Sequence, residues 1–267
     1  MPRREQVIDM SLLKTIIKFA VPLPKIENYQ RFLFIGPHPD DIEIGAGATA
    51  AKLVEQDKDV CFLICTDGRF GDTYVDEDIS TYELMHTRRD EARQSAEALG
   101  VDDVRFLNLI DGGLYQQREL LEAIMKVIGD FKPDVIFAPD PCVTSECHAD
   151  HLNVGNAARL AANFAPYAKL CEAYSVDTAP IKALAYYMTA KPNRYVRTSA
   201  RLLKKQLESV FSSHLSQFPE GCDERSSISL YLKLRAISFG LRRFCGYAEG
   251  FRVLGTTHMH CLPEAGN

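Results

Sequence analysis

No two cysteines in this sequence are spaced C-x-x-C, so the usual redox dithiol and zinc-ribbon spacings are absent. The eight cysteines fall at positions 61, 65, 142, 147, 171, 222, 245 and 261, several inside apolar runs such as "VCFLICT". There a free cysteine acts as a small buried hydrophobe. The pattern predicts a reducing, cytoplasmic compartment and no structural disulfides. No apolar run reaches the length of a membrane span. The best candidate, "MSLLKTIIKFAVPLP", is interrupted by Lys14 and Lys18 and is followed by no small-residue cleavage site. That argues against stable membrane insertion and against a secretory signal. A dominant charge sign is missing too. Thirty-one Lys and Arg against 36 Asp and Glu leave a net charge of −5, so no basic footprint for nucleic acid covers the molecule. Internal repeats and low-complexity tracts are likewise absent.

What is present is an ordinary globular composition, 46% apolar and 25% charged over 267 residues, enough to bury a sizeable core. Ile8, Leu12, Leu13, Ile16, Ile17 and Ala20 recur at helical spacing before Pro22 and Pro24. Residues 1–30 therefore read as an amphipathic helix and linker. Its apolar face would dock on the body of the protein or on a second copy in a homo-oligomer, with a membrane-surface helix as the sharper alternative. Residues 31–267 read as one α/β domain. Strands are expected at 31–36, 59–66, 104–108, 134–139 and 183–188. Helices are expected at 45–55, 82–99, 116–131 and 148–164, with Gly100 closing the second, and the chain beyond 200 reads as mainly helical. Such alternation predicts a Rossmann-like, mostly parallel sheet with helices on both faces and helical additions at the C-terminus. In such sheets the active site lies beyond the carboxyl ends of the strands. Three segments fall there: "PHPDD" after the first strand, "TDGRFGD" after the second and "PDPCVTSECHADH" after the fourth.

The stretch "FIGPHPDDIEIGAGATAAKL" can be read in two ways. Gly45, Gly47 and Ala50 fit a G-x-G-x-x-A dinucleotide loop, and Asp67 ends the next strand about twenty residues on, as a ribose-binding acid does. This would make a nucleotide-dependent oxidoreductase. In that fold, however, the first glycine turns directly off the strand, and here Pro37 to Ile44 intervene. The blander reading of the glycines is a helix start packed closely on the sheet. The intervening residues carry better chemistry. His38 and Asp41, three apart with Pro39 stiffening the turn, can point at one ion. "HADH" offers His148 and His151 as the further ligand a catalytic zinc needs. Imidazole and carboxylate donors suit zinc or another borderline divalent metal. A lone His-x-x-His is weak, but the two signals at two strand ends of one sheet reinforce each other. Cys142, Cys147 and Cys65 make a poorer thiolate site. His258, His260 and Cys261 in "THMHC" would share a strand face and could bind metal only weakly.

With "HPDDIE" and "HADH" on the page, together with "TDGRFGD", "RRDEARQSAEALGV", "KKQLESVFSSHLSQF" and "YAEGFRV", the chain resembles the PIG-L/LmbE-type N-acetylglucosamine deacetylases from about residue 31 to 254. The resemblance implies hydrolysis of an N-acetyl group on a small-molecule or glycoconjugate substrate, giving acetate and a free amine. It implies zinc held by His38, Asp41 and His151, Asp40 as general base and His148 as the group that stabilises the oxyanion. It also implies Arg88 as a substrate contact. Asp150 then orients that imidazole or a ligand, or serves simply as a helix N-terminal carboxylate. Glu43 and Asp67 read as structural. Two departures bear on the substrate. "YVRTS" carries Arg197 where relatives often have aspartate, and "PCVTSEC" lacks an aromatic residue that some relatives have. A basic cluster at Arg194, Arg197, Arg201, Lys204 and Lys205 would suit a phosphate- or nucleotide-linked sugar if it lined the pocket. A member of the fold that binds metal or sugar without turnover is the further alternative.

Overall fold

The structure, a computed structural model, describes residues 15–17, 19–260 and 262. Most of the expected N-terminal amphipathic helix therefore lies outside the described residues; of it, 15–17 and 19–20 are helical. The elements that follow are β1 (Arg31–Gly36), α1 (Asp41–Val54), β2 (Asp59–Thr66), α2 (Thr81–Leu99), β3 (Asp103–Leu109), α3 (Gln117–Phe131), β4 (Val135–Pro139), α4 (Ala149–Phe164), α5 (Ala168–Ala173), β5 (Ala183–Tyr187), β6 (Arg194–Thr198), α6 (Ala200–Ser213), α7 (Asp223–Leu241) and β7 (Tyr247–Gly255).

The strands form one sheet in the order β3-β2-β1-β4-β5-β7-β6. The first five pair in parallel, as the alternating pattern predicts. The middle of the sheet is buried on both faces because β1, β2, β4 and β5 are apolar at nearly every position rather than at alternate ones. Leu33, Ile35, Cys61 and Leu63 pack on α3 and α4. Phe32, Phe34, Phe62 and Ile64 point the other way, onto α1 and α2. The order of strand succession reverses about β1: β2 and β3 lie on one side of it and β4 on the other. The carboxyl ends of β1 and β4 therefore frame a switch-point crevice.

Three expectations need amending. The chain beyond 200 is mainly helical as expected, but it also holds a strand the sequence reading missed, since β7 inserts antiparallel between β5 and β6. Its buried run from Gly250 onward is that of an interior strand. Second, α1 begins at Asp41, not at Gly45, so "HPDD" is the helix entrance itself. Gly45 lies inside the helix, and it is glycine because a Cβ there would sit 2.2 Å from the Tyr187 ring. Its neighbour Ala46 leaves helical geometry at φ −154°, a kink at the point of close approach. Third, residues 257–260 of the "THMHC" stretch form a turn and not a strand, Cys261 lying outside the described residues. His258 is buried there with Nδ1 accepting from the Gly255 N–H at 3.2 Å, and His260 meets the Tyr167 hydroxyl at 3.1 Å.

Candidate metal centre and active site

His38 leaves β1 and is fixed at once by its neighbour three residues on. Its backbone N–H donates to Asp41 Oδ2 at 2.9 Å, and its ring Nδ1 lies 3.0 Å from the same oxygen. Asp41 opens α1, where a carboxylate is favoured by the helix dipole. Its other oxygen lies 3.3 Å from His151 Nε2, in the first turn of α4. One donor atom from each of His38, Asp41 and His151 thus falls within 4.8 Å of the others. The far nitrogens of both imidazoles are held as well. His38 Nε2 faces Asp111 at 3.1 Å and Asp150 at 3.2 Å, while His151 Nδ1 faces Glu146 at 2.9 Å. Carboxylates of this kind fix the tautomer and ring orientation of a ligating histidine.

Electrostatics follow from this packing. Burial opposes charge on His38, but hydrogen bonding to Asp111, Asp150 and Asp41 outweighs it, and the pKa is raised well above the ordinary value. His151 is likewise opposed by burial and then pushed up to about 9 by Asp41. Asp41 shows the reverse. Burial favours its neutral form, yet His151 and His38 hold the carboxyl well below the usual range.

Asp40 is set apart from the other carboxylates. It caps α1 with φ 129°, a conformation rare for a residue with a side chain and sustained only when its surroundings enforce it. Arg88 supplies part of that constraint. The guanidinium is 4% exposed and donates to the Pro39 carbonyl at 3.0 Å, to Asp40 Oδ2 at 3.2 Å and to the Gly68 carbonyl at 2.9 Å. Burial pushes the Asp40 carboxyl up to about 6, against the pull of Arg88.

His148 is the N-cap of α4 and accepts from the Asp150 N–H through Nδ1 at 3.3 Å. Its proton then sits on Nε2. The ring is half exposed and lies 4.6 Å from the His38 ring, centroid to centroid. Asp150 is fully buried. Besides His38 it accepts from the N–H groups of Gly112 and Gly113 at 2.8 and 2.9 Å, and hydrogen bonding to His38 above all holds its carboxyl below the usual range despite burial. Its side chain therefore serves His38 more closely than His148, whose Nδ1 is 3.7 Å away.

The expected site residues from β1 and α4 thus meet in one crevice, with Arg88 beneath it. The other candidates do not join them. Asp67 is turned onto Arg69 at 2.6 Å and 2.9 Å. Gly45 and Gly47 face Tyr187 and Gln206 from within a helix, leaving no phosphate cradle at the end of β1. Cys65 is buried with its thiol pushed up by burial, and Cys142 and Cys147 are exposed outside the clusters of metal donors found among the described residues. The basic cluster lies at the wrong end of the molecule. Arg201 pairs with Glu55, past the carboxyl end of α1, and Lys205 donates to Leu99 at the end of α2. Arg197 is exposed on the edge strand β6, with its guanidinium donating to the Arg243 carbonyl. Sequence reasoning missed Asp111 and Glu146. The "DGG" turn that ends β3 was the available signal for the first, and the acid two residues before His148 for the second.

The chain matches the family profile described as PIG-L, GlcNAc-PI de-N-acetylase, over residues 33–162. It is 34% identical over 258 residues to a diacetylchitobiose deacetylase of Thermococcus kodakarensis, covering 96% of this chain and 94% of the relative. A 1D-myo-inositol 2-acetamido-2-deoxy-alpha-D-glucopyranoside deacetylase of Thermobispora bispora is 26% identical over 225 residues, 73% of this chain and 70% of that one. Among solved structures, the N,N'-diacetylchitobiose deacetylase from Pyrococcus horikoshii in complex with its inhibitor MPG superposes with a TM-score of 0.84 at 30% identity. It covers 97% of this chain and 98% of that one.

Proposed function

The chain belongs to the PIG-L family of GlcNAc-PI de-N-acetylases, and from that membership we propose the division of labour within its site. The enzyme is a hydrolase that removes the N-acetyl group of N-acetylglucosamine-type sugar conjugates with the help of a metal ion. The observation that carries the assignment of residues is the convergence of His38, Asp41 and His151 next to an acid, Asp40, that is not part of their cluster.

The donor chemistry fits a divalent ion. Two imidazole nitrogens and one carboxylate oxygen meet, the far nitrogen of each ring is held by a carboxylate, and the set suits zinc. The alternative set around His38, Asp111, His148 and Asp150 is less suitable, because Asp150 is buried and its oxygens are already taken by His38 and two backbone N–H groups. When bound, such an ion supplies Lewis acidity toward the acetyl carbonyl and toward water. Asp40 takes the proton of the attacking water as the C–O bond forms. The Nε2–H of His148 donates to the carbonyl oxygen as negative charge gathers on it. Asp40 then returns the proton to the sugar nitrogen as the C–N bond breaks, and acetate and the free amine leave. Arg88 is read as the group that aims and charges Asp40 rather than as a substrate contact, since its guanidinium is buried and both terminal nitrogens are engaged by Asp40 and two carbonyls.

Similarity along nearly the whole chain to diacetylchitobiose deacetylases favours a short N-acetylated oligosaccharide as substrate. The remote and paired basic cluster removes the case for a nucleotide-linked sugar. Acetate release should be measured on N-acetylglucosamine, N,N'-diacetylchitobiose, a GlcNAc-inositol and a nucleotide-linked N-acetylglucosamine. The highest kcat/KM is expected on the disaccharide. A preference for the nucleotide-linked sugar would overturn the substrate reading.

A further inference from the structure

His214 ends α6 in the "SSHLSQF" stretch and has no exposed surface. Neither ring nitrogen has a hydrogen-bond partner. An imidazole in that state is costly to bury and calls for an explanation. Glu43 Oε1 lies 3.7 Å from Nε2, an oxygen that is itself buried and without a hydrogen-bond partner. Two bare, complementary groups thus face each other beneath the first turn of α1, the turn that Asp40 caps.

The surroundings of this pair converge on Asp40. From α6, Gln206 Nε2 donates to the Glu43 carbonyl at 2.8 Å, so the same helix grips this turn by backbone and by side chain. Two residues beyond His214, Ser216 donates to Glu91 of α2 through N–H at 2.7 Å and through Oγ at 2.6 Å. Gln217 Nε2 donates to the Gly71 carbonyl at 2.6 Å. Glu91 lies one turn from Arg88, which holds Asp40 and the Pro39 and Gly68 carbonyls. The segment from His214 to Gln217 therefore ties together α1, α2 and the 68–71 loop. The buried ionisable groups facing His214 are Glu43 and Asp40 from the entrance of α1 and Glu91 from α2, with Arg88 as the other cation beside Asp40. Three buried carboxylates are matched by Arg88 and by this imidazole.

We infer that His214, paired with Glu43, is a positioning residue for Asp40: it holds the strained cap of α1 in place and supplies positive charge on the side away from the substrate. Burial opposes charge on the imidazole, but Glu43, Asp40 and Glu91 raise its pKa nonetheless. The inference rests on Asp40 being the base.

The test compares His214→Leu, His214→Gln and Glu43→Gln in the metal-loaded enzyme, with Asp40→Asn alongside. In His214→Leu, kcat on diacetylchitobiose should fall about 10- to 100-fold, with KM and bound metal unchanged. His214→Gln, which keeps a donor toward Glu43 but not the positive charge, should recover part of kcat. Wild-type kcat in His214→Leu would overturn the inference, as would equal losses in the Leu and Gln variants accompanied by loss of metal. If His214→Leu does not fold, Glu43→Gln carries the test, and there the expectation is again a fall in kcat at constant KM; unchanged kcat counts against the pair. Normal turnover by Asp40→Asn would remove the base assignment itself. Normal turnover by the His214 and Glu43 variants beside an inactive Asp40→Asn would remove only the role of His214.

Discussion

At the scale of single residues, the proposed mechanism separates groups that bind the ion from groups that move protons. Asp40 and Asp41 are adjacent carboxylates with opposite fates. Asp41 lies between two imidazoles and stays ionised, while Asp40 faces Arg88 and is pushed up to about 6 by burial. Asp40→Asn should abolish measurable acetate release while metal content stays at the wild-type level. His148→Ala should lower kcat by about 10²- to 10³-fold, the usual cost of one oxyanion donor, and steady-state kinetics would read it directly. A second consequence concerns protons. In the metal-free protein the pKa of His151 is about 9 and that of His38 is also raised. His151 then carries its proton at pH 7 and His38 is biased the same way, and an ion must displace such protons to bind. Metal affinity should therefore rise with pH up to about 9. Calorimetric titration of the metal-free protein at pH 7, in buffers of different ionisation enthalpy, should find protons released as the ion binds. No release would mean that these imidazoles are not the ligands. "HPDD" and "HADH" were legible because each packs its groups into a few consecutive residues. Asp111, Glu146 and His214 were not, because each acquires its meaning from a partner on another strand or helix.

At the scale of elements, α1 decides how the loop is held. The glycines of "GAGATA" drew attention as a nucleotide loop and as a helix start, but they lie within the helix, where it presses on β5. Tyr187 is fully buried and pinned by its hydroxyl, which donates to the Ile35 carbonyl at 2.8 Å, so its ring cannot move aside. Gly45→Ala should then cost about 3 kcal/mol, the upper end for overpacking a core, read as a lower urea midpoint with an unchanged slope. A change below about 0.5 kcal/mol would mean that the close approach is not rigid. The parallel strands and their helices were legible from apolar runs and caps, Gly100 among them at φ 88°. Strand β7 was not. Its "YAEG" start carries a charged residue and a glycine after a long helix, and only its long-range antiparallel pairing to Ala183–Tyr186 and Arg194–Thr198 makes it a strand.

At the scale of the whole molecule, the site is built on a core that does not depend on it. The two apolar layers on either face of the sheet are closed without any metal. Chelation should therefore leave a folded protein with the same far-UV circular dichroism and a cooperative but lower melting transition. Restoring the ion should raise stability by about 2.7 kcal/mol at a hundredfold excess over Kd. Complete unfolding on chelation would make the ion a structural element instead. What most directly tests the account is acetate release from N,N'-diacetylchitobiose as one metal equivalent at a time is returned to stripped enzyme, run in parallel on His151→Ala. Wild-type activity should rise from near zero and saturate at one ion per chain, while His151→Ala stays inactive and binds little metal. Full turnover by the stripped enzyme, or normal metal content in His151→Ala, would contradict it.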